Sequence, residues 1–542
     1  FGMMQGMKDA IRYSAKSFKT GESGYGLGKV DIPNQGAISS EAFNIASDTW
    51  VGRTVDVMGT AARLPFRSLT AADEFFKTIG YRMELNALAL RQANGEVNSG
   101  AIPADQLKAR IVEILEAPPE SLRMSAVDQA TYQTFTNTPG QLAQNISKTV
   151  NQYPALRVIL PFVRTPANIM SYTFQRTPLA PLMSGVRADI AAGGSRRDLA
   201  MARMATGTTI MMVTADSAMN GDITGNGPSN FAERQALMRT GWQPYSVKVD
   251  GRYYAYNRMD PIGMTMGLSA DMVEILANDD YGSDKEKTME EAAVALSMSI
   301  ANNVMSKTYL SGVSDFFEAM ADPDRRAQGF FQRLGGSVVP TGVAEVARFK
   351  DPYMREANNM LDAIRRRTPG LSDMLPPRRD LWGEPISFQS GLGAGFDAMS
   401  PIYSRAEKPS PIDEEILRLD ASVTMPPKKT SFNGVSIDLS DHPEAWSRYV
   451  ELAGNELKHP AWNQGAKDML NDLVSGRHTL SPVYQMYSDG PDGGKADYIK
   501  KTLNDYREMA RRQLLDEFPE LRSEYEDKDL RRREIKMPVM NN

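Results

Sequence analysis

The Asp250-Gly251 pair is the most restrictive feature of this 542-residue chain. Residues alternate in character on both sides of it, Tyr245-Ser246-Val247-Lys248-Val249 before and Arg252-Tyr253-Tyr254-Ala255-Tyr256 after. Asp-Gly accepts the positive φ angles of a two-residue turn whose twist suits antiparallel strands, so the segment is committed to a β-hairpin. Upstream, Asn220-Gly221-Asp222-Ile223-Thr224-Gly225-Asn226-Gly227-Pro228 is too rich in Gly and Pro for any regular element and predicts a loop. A short helix follows at Phe231–Met238. Asp260-Pro261-Ile262-Gly263-Met264 then returns the chain to helix through Met272 and beyond.

Elsewhere the pattern is helical. Arg164-Thr165-Pro166 and Arg176-Thr177-Pro178 read as two helix starts, because Thr supplies an N-cap oxygen and Pro at the first helical position gives up an N–H that has no partner there anyway. A third such triplet is Arg367-Thr368-Pro369. Asp198–Met219, a run of Ala, Thr, Met and Gly with few charges, predicts a buried helix. Before it, helices are expected at Met3–Phe18, on either side of Pro65 as an antiparallel pair between Ala42 and Asn94, and at Ala104–Glu116, Ala126–Thr136 and Gly140–Asn151. Asp284–Met305 predicts a helix with an acidic first turn, suited to the positive end of the helix dipole, with Phe316, Phe317 and Met320 packed beside it. From Thr368 to Pro411, Pro and Gly recur every few residues and predict an extended arm, of a kind that normally lies across a neighbour. Ser431–Leu439 reads as a second small hairpin or edge strand, and His442–Leu457, Ala466–Val474 and Lys495–Phe518 as helices. The charged tail with Arg531-Arg532-Arg533 reads as a solvated helix end.

The fold class that follows is mainly α, multi-helix and multi-subdomain, with one or two small β-hairpins and long irregular arms. Four parts are expected: a helical region 1–155, a central helical region 156–365 with the hairpin near 245–257, the arm 366–411, and a helical module 412–542.

Several chemistries are disfavoured. With no cysteine there is no disulfide, iron–sulfur cluster or thiolate zinc site. His442, His459 and His478, the only histidines, lack metal-ligand spacing, and no Gly-x-Ser-x-Gly elbow occurs. The glycine-rich Gly21–Lys29 has Ser23 and Val30 where a phosphate-binding loop needs Gly and Ser or Thr. Glu22-Ser23 and Glu120-Ser121 carry the dipeptide of muralytic enzymes without its surroundings. Catalytic, cofactor and metal residues are therefore expected to be absent. A net charge of −5 with interspersed signs is not the footprint of a nucleic-acid binder. Tyr253, Tyr254 and Tyr256 could stack bases, but only Arg252 and Arg258 supply charge nearby, so packing or subunit contact is the stronger reading. No run of about 20 apolar residues, the length that spans a bilayer, is present. The 32 methionines suit surfaces that re-pack.

Six segments together resemble one group of proteins. They are Pro161-Phe162-Val163-Arg164-Thr165-Pro166-Ala167-Asn168, Ile223-Thr224-Gly225-Asn226-Gly227-Pro228, Gly241-Trp242-Gln243-Pro244-Tyr245-Ser246 and Tyr256-Asn257-Arg258-Met259-Asp260-Pro261-Ile262-Gly263-Met264, with Leu64–Lys77 upstream and Tyr449–Asn455 downstream. Their order is similar to the C-terminal region of very large bacteriophage internal virion, or ejection, proteins and phage polyvalent proteins. The resemblance covers most of the chain and carries no catalytic signature. It implies a non-enzymatic virion protein that oligomerises and helps form a conduit for genome delivery through the host envelope, found in the virion and, after release, in the host periplasm or envelope. Its partners would be copies of itself, portal or sister ejection proteins, viral DNA as passing cargo, and the host envelope. Two other readings stand beside this one: the non-catalytic end of a larger virion enzyme, peptidoglycan-cleaving or polymerising, whose active part precedes Phe1; and a portal- or tail-associated protein retained in the particle. Assembly contacts are expected at Arg164, Thr165, Pro166, Arg176, Thr177, Pro178, Trp242, Tyr245, Tyr254, Arg367 and Trp382.

Overall fold

A computed structural model describes residues 2–20, 48–152, 163–277, 298–300, 303, 329, 336, 339, 341–388, 402–490 and 493–536. The glycine-rich 21–29 stretch, the body of the expected 284–305 helix and the aromatic residues Phe316 and Phe317 lie outside them. Within the described residues the chain is mainly helical, with two small antiparallel sheets, and it divides into two compact units at Thr208/Thr209, inside one helix.

The first unit is organised on a single helix, Trp50–Asn98. Two helices broken at Pro65 were expected; instead the backbone stays helical through the proline. A proline inside a helix gives up one hydrogen bond at a cost of about 3 kcal/mol, and a helix of 49 residues has ample packing to offset it. Helix Gly2–Thr20 lies along it, tied by Arg82 to Asp9 at 2.5 Å. Helices Leu107–Glu116 and Glu120–Gln133 cover the same side, burying Tyr81 and Leu85 against Ala126 and Ala130, and Ala89 and Ala93 against Ile114. On the same long helix Lys77 and Glu74 form a wholly buried ion pair at 3.2 Å.

The second unit contains both sheets. Strands β1 (Ser246–Val249) and β2 (Arg252–Ala255) form the hairpin that the sequence demands, with Asp250 at φ 49° and Gly251 at φ 69° supplying the turn. A third strand, β3 (Ser404–Ala406), adds antiparallel to β2, pairing Tyr253 with Arg405. This strand belongs to the stretch expected as an arm across a neighbour. Its described parts are instead spent on the chain's own fold, since Leu381 and Trp382 enter the same core as Ala236, Ile412, Met469, Leu470, Tyr484 and Tyr506. Strands β4 (Lys429–Phe432) and β5 (Val435–Asp438) make the second hairpin, turned by Asn433 and Gly434 at positive φ. Helices Pro443–Glu451, Ala466–Val474, Lys495–Glu517 and Pro519–Lys536 complete the module. The last is largely exposed towards its end, as expected, and is tethered where Arg532 Nη1 donates to Asn433 O at 2.6 Å and Tyr525 meets Phe432 edge to face.

The Gly194–Met219 helix differs from expectation. Its apolar residues are spread all round, so no single face gathers them. Only Ala200, Gly207 and Thr214, one every second turn, are buried, while Leu199, Met201, Met212, Val213 and Met219 stay exposed. Gly207 packs directly on the Arg176 carbonyl, and a Cβ there would stand 1.8 Å from that oxygen.

Candidate assembly region

The Arg-Thr-Pro segments are the first place where sequence logic and geometry part. Helix Arg164–Phe174 starts before the first triplet's Thr, capped by no side chain, and Pro166 falls in its first turn, where an N–H is dispensable in any case. At the second triplet a helix ends: Thr177 Oγ1 donates to Phe174 O at 2.9 Å and accepts from Leu179 N at 3.2 Å, turning the chain into a short 3₁₀ segment. Thr368 closes a helix in the same way, its Oγ1 donating to Ile364 O at 2.9 Å. Arg176 folds back over its own unit, with its guanidinium 3.2 Å from the centre of the Tyr172 ring and Nη1 donating to Tyr132 Oη at 3.1 Å. Asn168, from the same motif, is buried and donates to the carbonyls of Phe135 and Asn137 at 2.8 and 2.7 Å. It fixes the turn in which Phe135 adopts φ 55°.

In the second unit three of the motif segments converge. The Gly225-Asn226-Gly227 amides point at two carboxylates of helix Ile262–Ala277. Glu274 accepts from Gly225 N at 2.6 Å and Gly227 N at 2.8 Å, and Asp271 accepts from Asn226 N at 2.7 Å. Tyr245 Oη donates to the other Asp271 oxygen at 3.1 Å, and Tyr256 Oη to Thr224 O at 2.7 Å. Thr224 Oγ1 donates to Gln243 O at 2.7 Å and accepts from Ser246 N at 2.9 Å. Trp242 lies on Gly227, which holds φ 81° and would place a Cβ 2.4 Å from the indole, so only glycine fits. Burial pushes the Glu274 carboxyl above its ordinary range, against the pull of the two amides, and pushes the Tyr256 phenol well up. The polar side chains of this knot are directed at the chain's own backbone and, for Tyr245 and Asp271, at each other.

A second knot joins segments far apart in sequence. Asp413 is buried and accepts from Arg239 Nε at 2.6 Å, Trp382 Nε1 at 2.9 Å and Ser410 Oγ at 2.7 Å. Trp382 itself packs on Gly454, where a Cβ would stand 2.1 Å from the Trp382 carbonyl carbon, which accounts for the glycine of the Tyr449–Asn455 motif. The Asp380 carboxylate holds the turn that presents Trp382, accepting from the amides of Trp382 and Glu384, each at 2.9 Å. Burial pushes Asp380 up to about 6. Because the folded state then holds its proton more tightly than the unfolded chain, stability falls as pH rises from about 4 to 6. Asp380→Asn, which keeps an acceptor for both amides, is expected to flatten that slope in urea melts taken across the range, and to be at least as stable as wild type at pH 7.

These positions redistribute the expected contact residues. Pro166, Thr177, Trp242, Tyr245 and Trp382 are buried within their own chain, so as the protein stands they are not available to a neighbour. Pro178 and Tyr254 are exposed, whereas Arg164, Thr165, Arg176 and Arg367 are partly so. Arg367 has its pKa lowered by burial and by the nearby Arg348 and Arg366. Asp271, Glu274, Arg239 and Asp413 are the residues that sequence reasoning passes over. Ser410-Pro411-x-Asp413 does carry a legible signal, a cap with Pro at the first helical position, and Ser410 Oγ does accept from Asp413 N.

Among the described residues no group of three or more His, Asp or Glu side chains is placed to hold a metal ion, and no helix is long and apolar enough to cross a membrane. Compared with protein-family models, curated proteins and solved structures, the chain finds no match.

Proposed function

We propose that this chain is a structural component of a phage particle, an internal or ejection protein that works by association with copies of itself and with sister virion proteins during genome delivery. The observation that carries this reading is how the motif residues are used. Thr224, Tyr245 and Tyr256, together with Asp271 and Glu274 of the helix that follows, spend their polar atoms within the chain's own fold, an arrangement that rewards a rigid building block and leaves little for bond-making. Exposed apolar side chains at Met212, Val213 and Met219 on one helix, and at Phe76, Met83 and Leu90 on another, are the complementary half of the argument. Such surfaces mark contact with other molecules.

Quantitative protein analysis of particles before and after genome release tests the proposal. The chain is expected in intact particles at a fixed copy number and to be depleted from emptied ones. Full retention after release overturns the ejection reading in favour of a static vertex or tail role, and absence from intact particles overturns the virion reading altogether.

A further inference from the structure

From Thr70 to Asn98, where its side chains are described, the Trp50–Asn98 helix buries one side and leaves the other uncovered by described residues. Tyr81, Leu85, Ala89 and Ala93 face the first unit's core. Opposite them Phe76, Met83 and Leu90 recur every seventh residue, with Ile79 and Asn86 between and Ala72 four residues before, which is the 3–4 spacing of a coiled-coil seam. Phe76 is 61% exposed, Met83 70% and Leu90 47%. No charged side chain interrupts this seam from Ala72 to Leu90, a length of about 27 Å at 1.5 Å per residue. Its one strongly polar member, Asn86, is satisfied at home, donating to Arg82 O at 2.6 Å.

The charges beside the seam say what covers it. Asp73 and Arg91 are eighteen residues apart, about five turns at 3.6 residues per turn, so both stand on one flank at opposite ends. Asp73 has Lys77 and Glu74 as charged neighbours and is pushed up to about 6, chiefly by burial. Arg91 is exposed and 4.0 Å from Glu84. In an antiparallel helix pair each flank meets its own counterpart, so one copy's Asp73 comes beside the other's Arg91, twice by symmetry, while Glu84, beside Arg91 of its own chain, faces its counterpart near the axis. A parallel pair in register keeps the two residues five turns apart. The antiparallel arrangement also sets Phe76 against Leu90, Ile79 against Ala87, and Met83 against itself.

We propose that this face is a self-association surface, on which the Trp50–Asn98 helix of a second copy docks antiparallel about Met83. The pairing stands on this helix alone and not on the virion reading. It closes an apolar seam that the unit's own helices leave open, and the two Asp73–Arg91 contacts fix direction and register.

The full chain lacks cysteine, so single cysteines report pairing without background. Under mild oxidation Met83→Cys is expected to cross-link to itself. Phe76→Cys and Leu90→Cys are expected to cross-link when mixed and not when alone. Asp73→Arg or Arg91→Asp alone should weaken association roughly tenfold, since each turns two attractive contacts into repulsive ones, and the double variant D73R/R91D should restore it. Circular dichroism melts report whether each variant is folded, above all at half-buried Asp73, and Arg91→Asp, at an exposed position, tests the pairing by itself should Asp73→Arg unfold. A chain that stays monomeric at high micromolar concentration, a Phe76→Cys protein that cross-links to itself, or a double variant no better than the singles overturns the proposal. An oligomer whose cysteines at positions 76, 83 and 90 never cross-link also overturns it, while leaving the assembly function standing.

Discussion

Asp413→Ala is expected to lower the stability of the second unit by about 3–5 kcal/mol, the cost of leaving a buried charge without its partner. Arg239 would be left in the interior with its Nε unanswered, and its Nη2 already has no hydrogen-bond partner among the described residues. Trp382 Nε1 and Ser410 Oγ would lose their acceptor as well. Asp413→Asn, which keeps an acceptor and gives up the charge, should fall between wild type and Ala. An Arg239→Met, Asp413→Leu double variant should be less damaged than either charge-stranding single, because no unpaired ion remains. Urea unfolding followed by tryptophan fluorescence reads this directly, since Trp382 sits in the knot. With two units in one chain the transitions need separate fitting, and because Trp242, Trp382, Trp446 and Trp462 lie in the second unit against Trp50 in the first, the loss is expected in the transition with the larger indole change. A change below about 1 kcal/mol, the level of a surface ion pair, would show that the knot is incidental.

Glu274→Ala should destabilise the same unit by about 2–4 kcal/mol, because two backbone amides lose charge-assisted bonds worth roughly 1.5–3 kcal/mol each, offset by relief of the carboxylate's burial. The upward shift of the Glu274 pKa shows that this burial cost is real, which is why the expected loss is smaller than the sum of the two bonds. Hydrogen exchange localises the effect. The amides of Gly225 and Gly227, and β1 which Thr224 holds in place, should lose protection, while the Pro443–Glu451 helix should keep its own. Uniform loss across the unit would mean that Glu274 is one stabilising contact among many and not the anchor of the 223–227 loop.

What the sequence made legible was whatever chemistry acts locally. Both hairpins are turned by Asp-Gly and Asn-Gly pairs whose positive φ is a property of those two residues alone, and Ala466–Val474 follows from its own periodicity and a preceding glycine. Long-range pairings left no such trace. β3 joins β2 across some 150 residues, and nothing about Ser404-Arg405-Ala406 marks it as a strand until Tyr253 is beside it. The first Arg-Thr-Pro triplet does open a helix, Arg164–Phe174, but the second misled because Thr before Pro closes a helix as readily as it opens one, the Thr hydroxyl reaching back to a carbonyl in place of forward to an amide, as it also does at Thr368. Pro65 misled because packing along 49 residues outweighs one lost hydrogen bond. In the assembly region, Trp242, Tyr245 and Trp382 were singled out as large aromatic residues that contact surfaces favour, and the same bulk and polar tips fit them for the interior. The acids that receive them, Asp271, Glu274 and Asp413, look in sequence like any helical carboxylate.

Association with further copies is what the exposed apolar helix face predicts. Mass photometry of the purified full chain, followed across a concentration series, is the most direct measurement of it. The expected result is a dimer or higher oligomer of fixed stoichiometry that dissociates on dilution and that charge reversal at Arg91 weakens. A single species of 59.9 kDa at every concentration would contradict it.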